Sequence, residues 1–314
     1  MGGMFEYVAR RLVMIVPILL VLSFFVFFIF FVLFPGDLAE QIAGDIATPE
    51  QVEAIRKSYG LDKPYYVQYG LWLWRLLHGD LGESWYRGQP VIDLILPRIP
   101  ITLGLTVSAF VISIIMGISL GAVAALKHGG PGDYAATATA LFGLSMPNFW
   151  LGLMLILVFS VALGWIPLPG AGQPITPLTF LLPAIALGTS HAGTMARLTR
   201  SSMLEVMRED YVRTARAKGL KERVVIWKHA FRNALIPIIT LMALRLPWLF
   251  AGTVVLESIF VLPGMGRLIF ESTVITRDYL VVQASVLMFV VFVTLANLLA
   301  DILYAYVNPK IRYR

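Results

Sequence analysis

Cysteine is absent from the 314 residues, and charge is scarce: Asp, Glu, Lys and Arg make up 14% of the chain, against roughly 25% in soluble domains. The first absence removes disulfide frameworks, thiolate metal sites and cysteine nucleophiles together. Four histidines (His78, His128, His191, His229) stand far apart, without metal-ligand spacing. No Gly-x-x-x-x-Gly-Lys-Ser/Thr string occurs, so the chain lacks the usual cradle for nucleotide phosphates. The space left by charge is taken by apolar residues, 58% of the total, with a mean hydropathy of +0.78. They are gathered in blocks long enough to cross a bilayer, which takes about 20 residues per helix.

Arg10 and Arg11 precede the uncharged run Leu12 to Phe34. That run exceeds the roughly 7–15 apolar residues of a secretory signal and ends without a small-residue cleavage site. It is expected to be a retained first span. Five further blocks follow near 99–127, 135–163, 178–197, 234–256 and 280–303. The third and fourth are separated by Gly164-Trp165-Ile166-Pro167-Leu168-Pro169-Gly170-Ala171-Gly172, a composition that reads as a turn, with Trp165 at interfacial depth. Helices are expected, because open strands leave backbone groups unpaired in lipid.

Basic residues set the orientation. With the N-terminus inside, the cytoplasmic pieces hold Arg10, Arg11, Lys127, ten basic residues from Arg197 to Arg232, and Lys310, Arg312 and Arg314. Those are 16 of the 25. The segment 35–98, on the other side, has nine acidic and six basic residues; 257–279 has three and two. Both termini are therefore expected in the cytoplasm. The same bias explains the net charge of +6 without a nucleic-acid partner.

Segment 35–98 carries helix signals. Thr48-Pro49-Glu50-Gln51 offers an N-cap, a first-turn proline and a capping-box glutamine, and Gly60 a stop. A second helix is expected from Pro64 to Gly79 with Tyr66, Tyr69, Leu73 and Leu76 on one face. The segment reads as a helical external cap. Its aromatics (Tyr65, Trp72, Trp74, Trp85) serve either as interfacial anchors or as a partner surface.

Residues 197–233 are polar and basic between two apolar blocks. Met203 to Lys218 holds no Gly or Pro, so helix should continue past the membrane to Gly219. A second helix is expected over Lys221 to Phe231. Gly219 is either a jointed elbow or a plain helix C-cap, two readings that are compatible.

Several strings in this chain are similar to bacterial peptide-importer permeases. In the loop they are Glu209-Asp210-Tyr211-Val212-Arg213-Thr214-Ala215-Arg216-Ala217-Lys218-Gly219-Leu220 and His229-Ala230-Phe231-Arg232-Asn233-Ala234-Leu235-Ile236-Pro237. Others are Pro35-Gly36-Asp37, Gly60-Leu61-Asp62-Lys63-Pro64, Gly79-Asp80-Leu81-Gly82, Thr199-Arg200-Ser201-Ser202-Met203, Pro263-Gly264-Met265-Gly266-Arg267, Arg277-Asp278-Tyr279 and Asn308-Pro309-Lys310-Ile311-Arg312. The resemblance covers essentially the whole chain. It implies an all-α, six-span permease subunit of an ATP-binding-cassette importer of the dipeptide/oligopeptide type, located in the bacterial inner membrane. It divides the chain into residues 1–34 (cytoplasmic end and first span), 35–98 (extracytoplasmic cap) and 99–314 (permease core with coupling loop 201–233). It implies that Tyr211, Arg213, Thr214, Ala215, Ala217, Lys218, Gly219 and Leu220 meet a cytoplasmic ATPase. The broader superfamily begins this loop Glu-Ala-Ala; here the triplet is Arg213-Thr214-Ala215. No cofactor is expected on the chain itself, with ATP and Mg on partner subunits. The implied partners are a second, related permease, two ATPases, an extracytoplasmic binding protein and the bilayer. Nickel chelates, glutathione or another small solute are the alternative cargoes.

Inside the membrane, Arg245 stands where a charge costs roughly 2.5–3.5 kcal/mol on insertion scales. Relatives usually carry glutamine there. Arg245 either lines the path and meets a substrate carboxylate, or pairs with an acid of a neighbouring subunit. Ser145 and Asn148 flank Pro147, where a kink is expected that either faces the path or serves helix packing. Gly117 and Gly121 offer a close-packing face. Glu257, Arg277 and Asp278 are expected to be solvated at the outer ends of the last spans. Ser190 and His191 are adjacent on a helix and point about 100° apart, which disfavours an intramembrane hydrolase.

Overall fold

The computed structural model describes residues 2–33, 37–44, 47–168 and 174–307. Phe34, Pro35 and Gly36, the turn residues Pro169 to Gly172, and the closing Asn308 to Arg312 lie outside them. Helix dominates. In order come α1 (Gly2–Phe28, then a π turn Ile29–Leu33), α2 (Leu38–Ala43), α3 (Pro49–Tyr59) and α4 (Tyr65–Leu77). A two-residue antiparallel hairpin follows, β1 (Glu83–Ser84) and β2 (Gln89–Pro90). Next are α5 (Val91–Ile95), α6 (Ile99–Leu126), α7 (Pro131–Ser145), α8 (Asn148–Leu155, with a π segment to Ala162) and α9 (Leu181–Val206). The chain ends its described part with α10 (Asp210–Ala217), α11 (Glu222–Val224), α12 (Phe231–Ile259), α13 (Met265–Phe270) and α14 (Tyr279–Val307).

Among the described residues four helical stretches are long and apolar enough to cross a membrane: Ala9–Leu33, Val91–Leu126, Glu222–Ile259 and Tyr279–Ile302. The expected third span is two helices, α7 and α8, bent by 106° at Ser145–Asn148, a fifth crossing if taken as one. Pro147 explains the break, because it cannot donate to the helix ladder and drives its predecessor extended; Met146 is at φ −81°, ψ 130°. The expected fourth span is the 26-residue α9. It is absent from that group because Thr189, Ser190, His191, Thr194 and Arg197 dilute its apolar character.

Contacts divide the chain into two units. The first comprises Ala9–Leu103 and Leu262–Leu295. Here the expected capping box is present: Gln51 N–H donates to Thr48 Oγ1 (3.3 Å) and Thr48 N–H to Gln51 Oε1 (2.9 Å). Gly60 ends α3 at φ +69°. Tyr69 and Trp72 of α4 pack on the first span, Tyr69 at 5.4 Å and Trp72 at 5.8 Å from the Phe27 ring. Tyr66 does not join that face, being 78% exposed in the first turn of α4. Trp74 and Tyr65 are also exposed, whereas Trp85 donates to the Arg277 carbonyl (3.3 Å). Val91, Leu94 and Ile95 form a core with Met265, Leu268, Leu280, Val281 and Ala284. Asp278 departs from the solvated role expected of it: it is buried and accepts the Ser84 hydroxyl.

The second unit is centred on Gly104–Val261. Its spine is α9, against which α7, α8 and α12 pack. Gly252 of α12 lies against Leu187, and Ala234 packs with Met203, so the two helices run antiparallel. Glu257, expected at a solvated end, is fully buried on α12. The close-packing face expected at Gly117 and Gly121 exists. A Cβ on Gly117 would stand 2.6 Å from Met195 Cβ, and one on Gly121 would stand 2.5 Å from the Ala196 carbonyl.

Candidate coupling site on the basic loop

The expected unbroken helix from Met203 to Lys218 is in fact two helices. α9 stops at Val206, and Glu209 turns extended (φ −66°, ψ 145°) before α10 begins. No Gly or Pro marks this corner. Asp210 in the first turn and Arg216 in the last complement the dipole of α10. Val212 and Ala215, one turn apart, are buried with Val225 and packed by Val206. This pair anchors α10, so its remaining surface faces outward.

Tyr211, Arg213, Thr214, Ala217, Lys218, Gly219 and Leu220 are all exposed. Ala215 is not among the outward residues; it is 6% exposed and supplies packing. Gly219 adopts φ +75°, the left-handed conformation expected of a helix-ending glycine, and no atom lies within 4 Å of where a Cβ would stand. Positive φ, and not close approach, is therefore what requires glycine there.

One contact spans the elbow and another holds the far end of α10. Arg216 crosses the elbow to reach Glu222, Nη2 to Oε1 at 2.8 Å and Nε at 3.2 Å from Oε2; the carboxylate beside it raises the Arg216 pKa. Asn233 Nδ2 donates to the Tyr211 hydroxyl at 2.8 Å. The expected second helix, Lys221 to Phe231, starts at Glu222 and runs through a π segment (Val225–Ala230) into α12 without a break. One end of the loop is thus continuous with a long apolar helix, and the other is separated from α9 by three residues.

The residues expected inside the membrane form a different group. Ser145 is exposed at the end of α7, and half-buried Asn148 opens α8 across the break. Asn148 Nδ2 is 4.0 Å from where a Gly252 Cβ would be, beside Leu187. Arg245 is half-buried on α12, two residues before Pro247, with its charge within reach of His191 on α9. Among the described residues no acid pairs with it. A polar cluster that the sequence reading did not assemble joins Asp133, Arg200 and His128. Its signal was present, since Pro131 followed by Asp133 is a helix start of the preferred kind. No group of His, Cys, Asp or Glu able to hold a metal occurs among the described residues.

The chain matches the family described as binding-protein-dependent transport system inner membrane component over residues 117–313, and that family's N-terminal membrane component over residues 4–106. It is 44% identical to the glutathione transport system permease protein GsiC of Pectobacterium atrosepticum, and 40% identical to the dipeptide transport system permease protein DppB of Alkalihalophilus pseudofirmus. Each comparison covers 99% of this chain and 100% of the relative. Its fold is shared with a solved structure of the MetNI methionine ABC transporter in an inward-facing conformation. The TM-score is 0.56 at 16% identity, over 68% of this chain and 96% of that one. The chain belongs to the binding-protein-dependent transport permeases; it is a membrane transport component and not an enzyme.

Proposed function

We propose that this chain forms half of the path of an ATP-driven importer of short peptides, with loop 201–233 receiving force from a cytoplasmic ATPase. The observation that carries this is α10. It is pinned by Val212 and Ala215 while Tyr211, Arg213, Thr214, Ala217, Lys218 and Leu220 stay exposed; Arg216 and Glu222 span its elbow at Gly219, and Tyr211 and Asn233 tie its first turn to α12. A short helix transmits a push only if its back is fixed and its front is available. In this reading there are six spans with both termini inside, α3 and α4 belong to an extracytoplasmic cap, and α9 is a span despite its polar residues. A second permease, two ATPases carrying ATP and Mg, and an extracytoplasmic binding protein complete the assembly. Relatives named for dipeptide and for glutathione stand at similar identity, and glutathione is itself a tripeptide. Short peptides are the cargo class both names share.

In proteoliposomes with all partners, Gly219→Trp is expected to insert normally yet lose transport-coupled ATP turnover. A non-glycine residue at this φ costs roughly 1–2 kcal/mol, and the indole adds bulk at the docking surface. Gly219→Asn, whose side chain tolerates that conformation, is expected to keep most turnover. Wild-type turnover in the Trp variant would sink the assignment.

Arg245, without an acidic partner in its own chain among the described residues, is proposed to meet a peptide carboxylate. Hydrogen bonds to a charged group are worth about 1.5–3 kcal/mol. Arg245→Gln should therefore lower the preference for anionic over neutral substrates about tenfold or more. An unchanged preference in uptake assays rules this contact out.

A further inference from the structure

Asp133 lies in the first turn of α7, and its side chain is 5% exposed. Arg200 of α9 grips it as a fork, Nε to Oδ1 at 2.8 Å and Nη2 to Oδ2 at 2.7 Å. Gly129 N–H donates to Oδ2 (3.0 Å) and the Thr137 hydroxyl to Oδ1 (3.3 Å). His128 Nδ1 lies 3.1 Å from both Asp133 Oδ2 and Arg200 Nη2. A bidentate pair fixes orientation as well as distance.

Farther along, α7 and α9 approach closely at two glycines. A Cβ on Gly193 would stand 2.4 Å from the Ala140 carbonyl, and one on Gly143 would stand 2.4 Å from Thr189 Cγ2. Neither helix can slide on the other without leaving this contact. Arg200 also lines a cleft shared with Arg208, Asp210 and Arg213, so the α9 side of the pair faces the first turn of the coupling helix. At its other end α7 stops at the 106° break.

We propose that Asp133 and Arg200 are a positioning pair that makes α7 follow the coupling loop, so that movement of α10 reaches the Ser145–Asn148 break as one rigid displacement. The proposal rests on the loop receiving force from an ATPase. The pair touches no substrate; it acts through α7. Spatial adjacency alone does not establish coupling, so the test must read motion and coupling as well as stability.

This chain has no cysteine of its own, which permits spin labels at Ala135→Cys on α7 and at exposed Lys221→Cys, just past the Gly219 elbow, in a complex with cysteine-free partners. In the otherwise wild-type complex the label distance is expected to be the same with and without trapped nucleotide. In Asp133→Asn and in Arg200→Lys, which keeps the charge but loses the fork, the distance should shift or broaden on trapping. Substrate carried per ATP should fall about tenfold in both, within the range of site-to-site coupling, while the ATPases still co-purify. Should Asp133→Asn not accumulate, Arg200→Lys decides the matter alone. A wild-type transport ratio in either variant overturns the pair's role, as does a nucleotide-dependent distance in the parent complex. A parent complex that never couples ATP turnover to substrate overturns the loop assignment, and the pair's role with it.

Discussion

Val212→Asp is expected to abolish transport-coupled ATP hydrolysis while leaving the chain inserted in the membrane. Val212 is fully buried in an apolar cluster with Ala215, Val225 and Val206. An unpaired carboxylate placed there costs several kcal/mol, or must take up a proton. α10 has eight residues, too few to hold helix by itself, since isolated helices under about 12–15 residues are marginal in water. Its tertiary anchor is therefore what keeps it formed. Substitution should detach the helix and leave α12, which packs on α9 through Ala234 and Gly252, in place. A loss of at least about tenfold in stimulated turnover corresponds to only 1.4 kcal/mol, well within the cost of the buried charge. Val212→Ile, which keeps the apolar contact, should retain turnover. Equal stimulated turnover in the Asp variant and the parent, measured in proteoliposomes, would show that the anchor does not matter.

The expectations that held came from signals that are local in the sequence. Thr48 and Gln51 satisfy each other three residues apart, Gly60 and Gly219 take the backbone conformation that only glycine adopts freely, and Pro147 stands at the break between α7 and α8. Those needed no knowledge of neighbours. The corner at Glu209 failed because nothing within the segment forbids helix there. What bends the chain is the burial of Val212 and Ala215 against Val206 and Val225, a tertiary preference that overrides propensity. Asp278 failed for a similar reason, since its partner Ser84 is 194 residues away. Asp133 and Arg200 are 67 residues apart, and each alone reads as an ordinary charge at a helix end. The residues expected to couple lie together on one short helix and the glycine turn that ends it. Their division into an inward pair and an outward surface required the fold, which places Ala215 behind the helix it was expected to front.

Gly121→Leu is expected to prevent the second unit from folding. A Cβ at Gly121 would lie 2.5 Å from the Ala196 carbonyl and 2.5 Å from Thr199 Cβ. Both obstacles sit on α9 and neither can move aside. Ala196 is backbone there, and Thr199 is fully buried with its hydroxyl donating to the Met195 carbonyl at 2.8 Å. Relief requires α6 and α9 to separate, and Gly117 against Met195 ties the same interface one turn away. Overpacking of a core typically costs about 1–3 kcal/mol, occasionally more. Here the penalty falls on contact between backbones, which is what holds helices together in lipid, where the hydrophobic effect supplies little. Even Gly121→Ala should lower the melting temperature, because the first carbon already collides. Gly70 in α4 supplies the contrast. It is exposed with nothing within 4 Å of its missing Cβ, so Gly70→Ala should be stabilising by roughly 0.5–1 kcal/mol. The measurement is the monodisperse fraction and thermal midpoint of each variant in detergent. A Gly121→Leu protein that purifies and melts like the parent would mean α6 and α9 do not meet at this distance. Failure confined to the residue 121 variants would instead identify close backbone approach as the condition on which the packing around α9 depends.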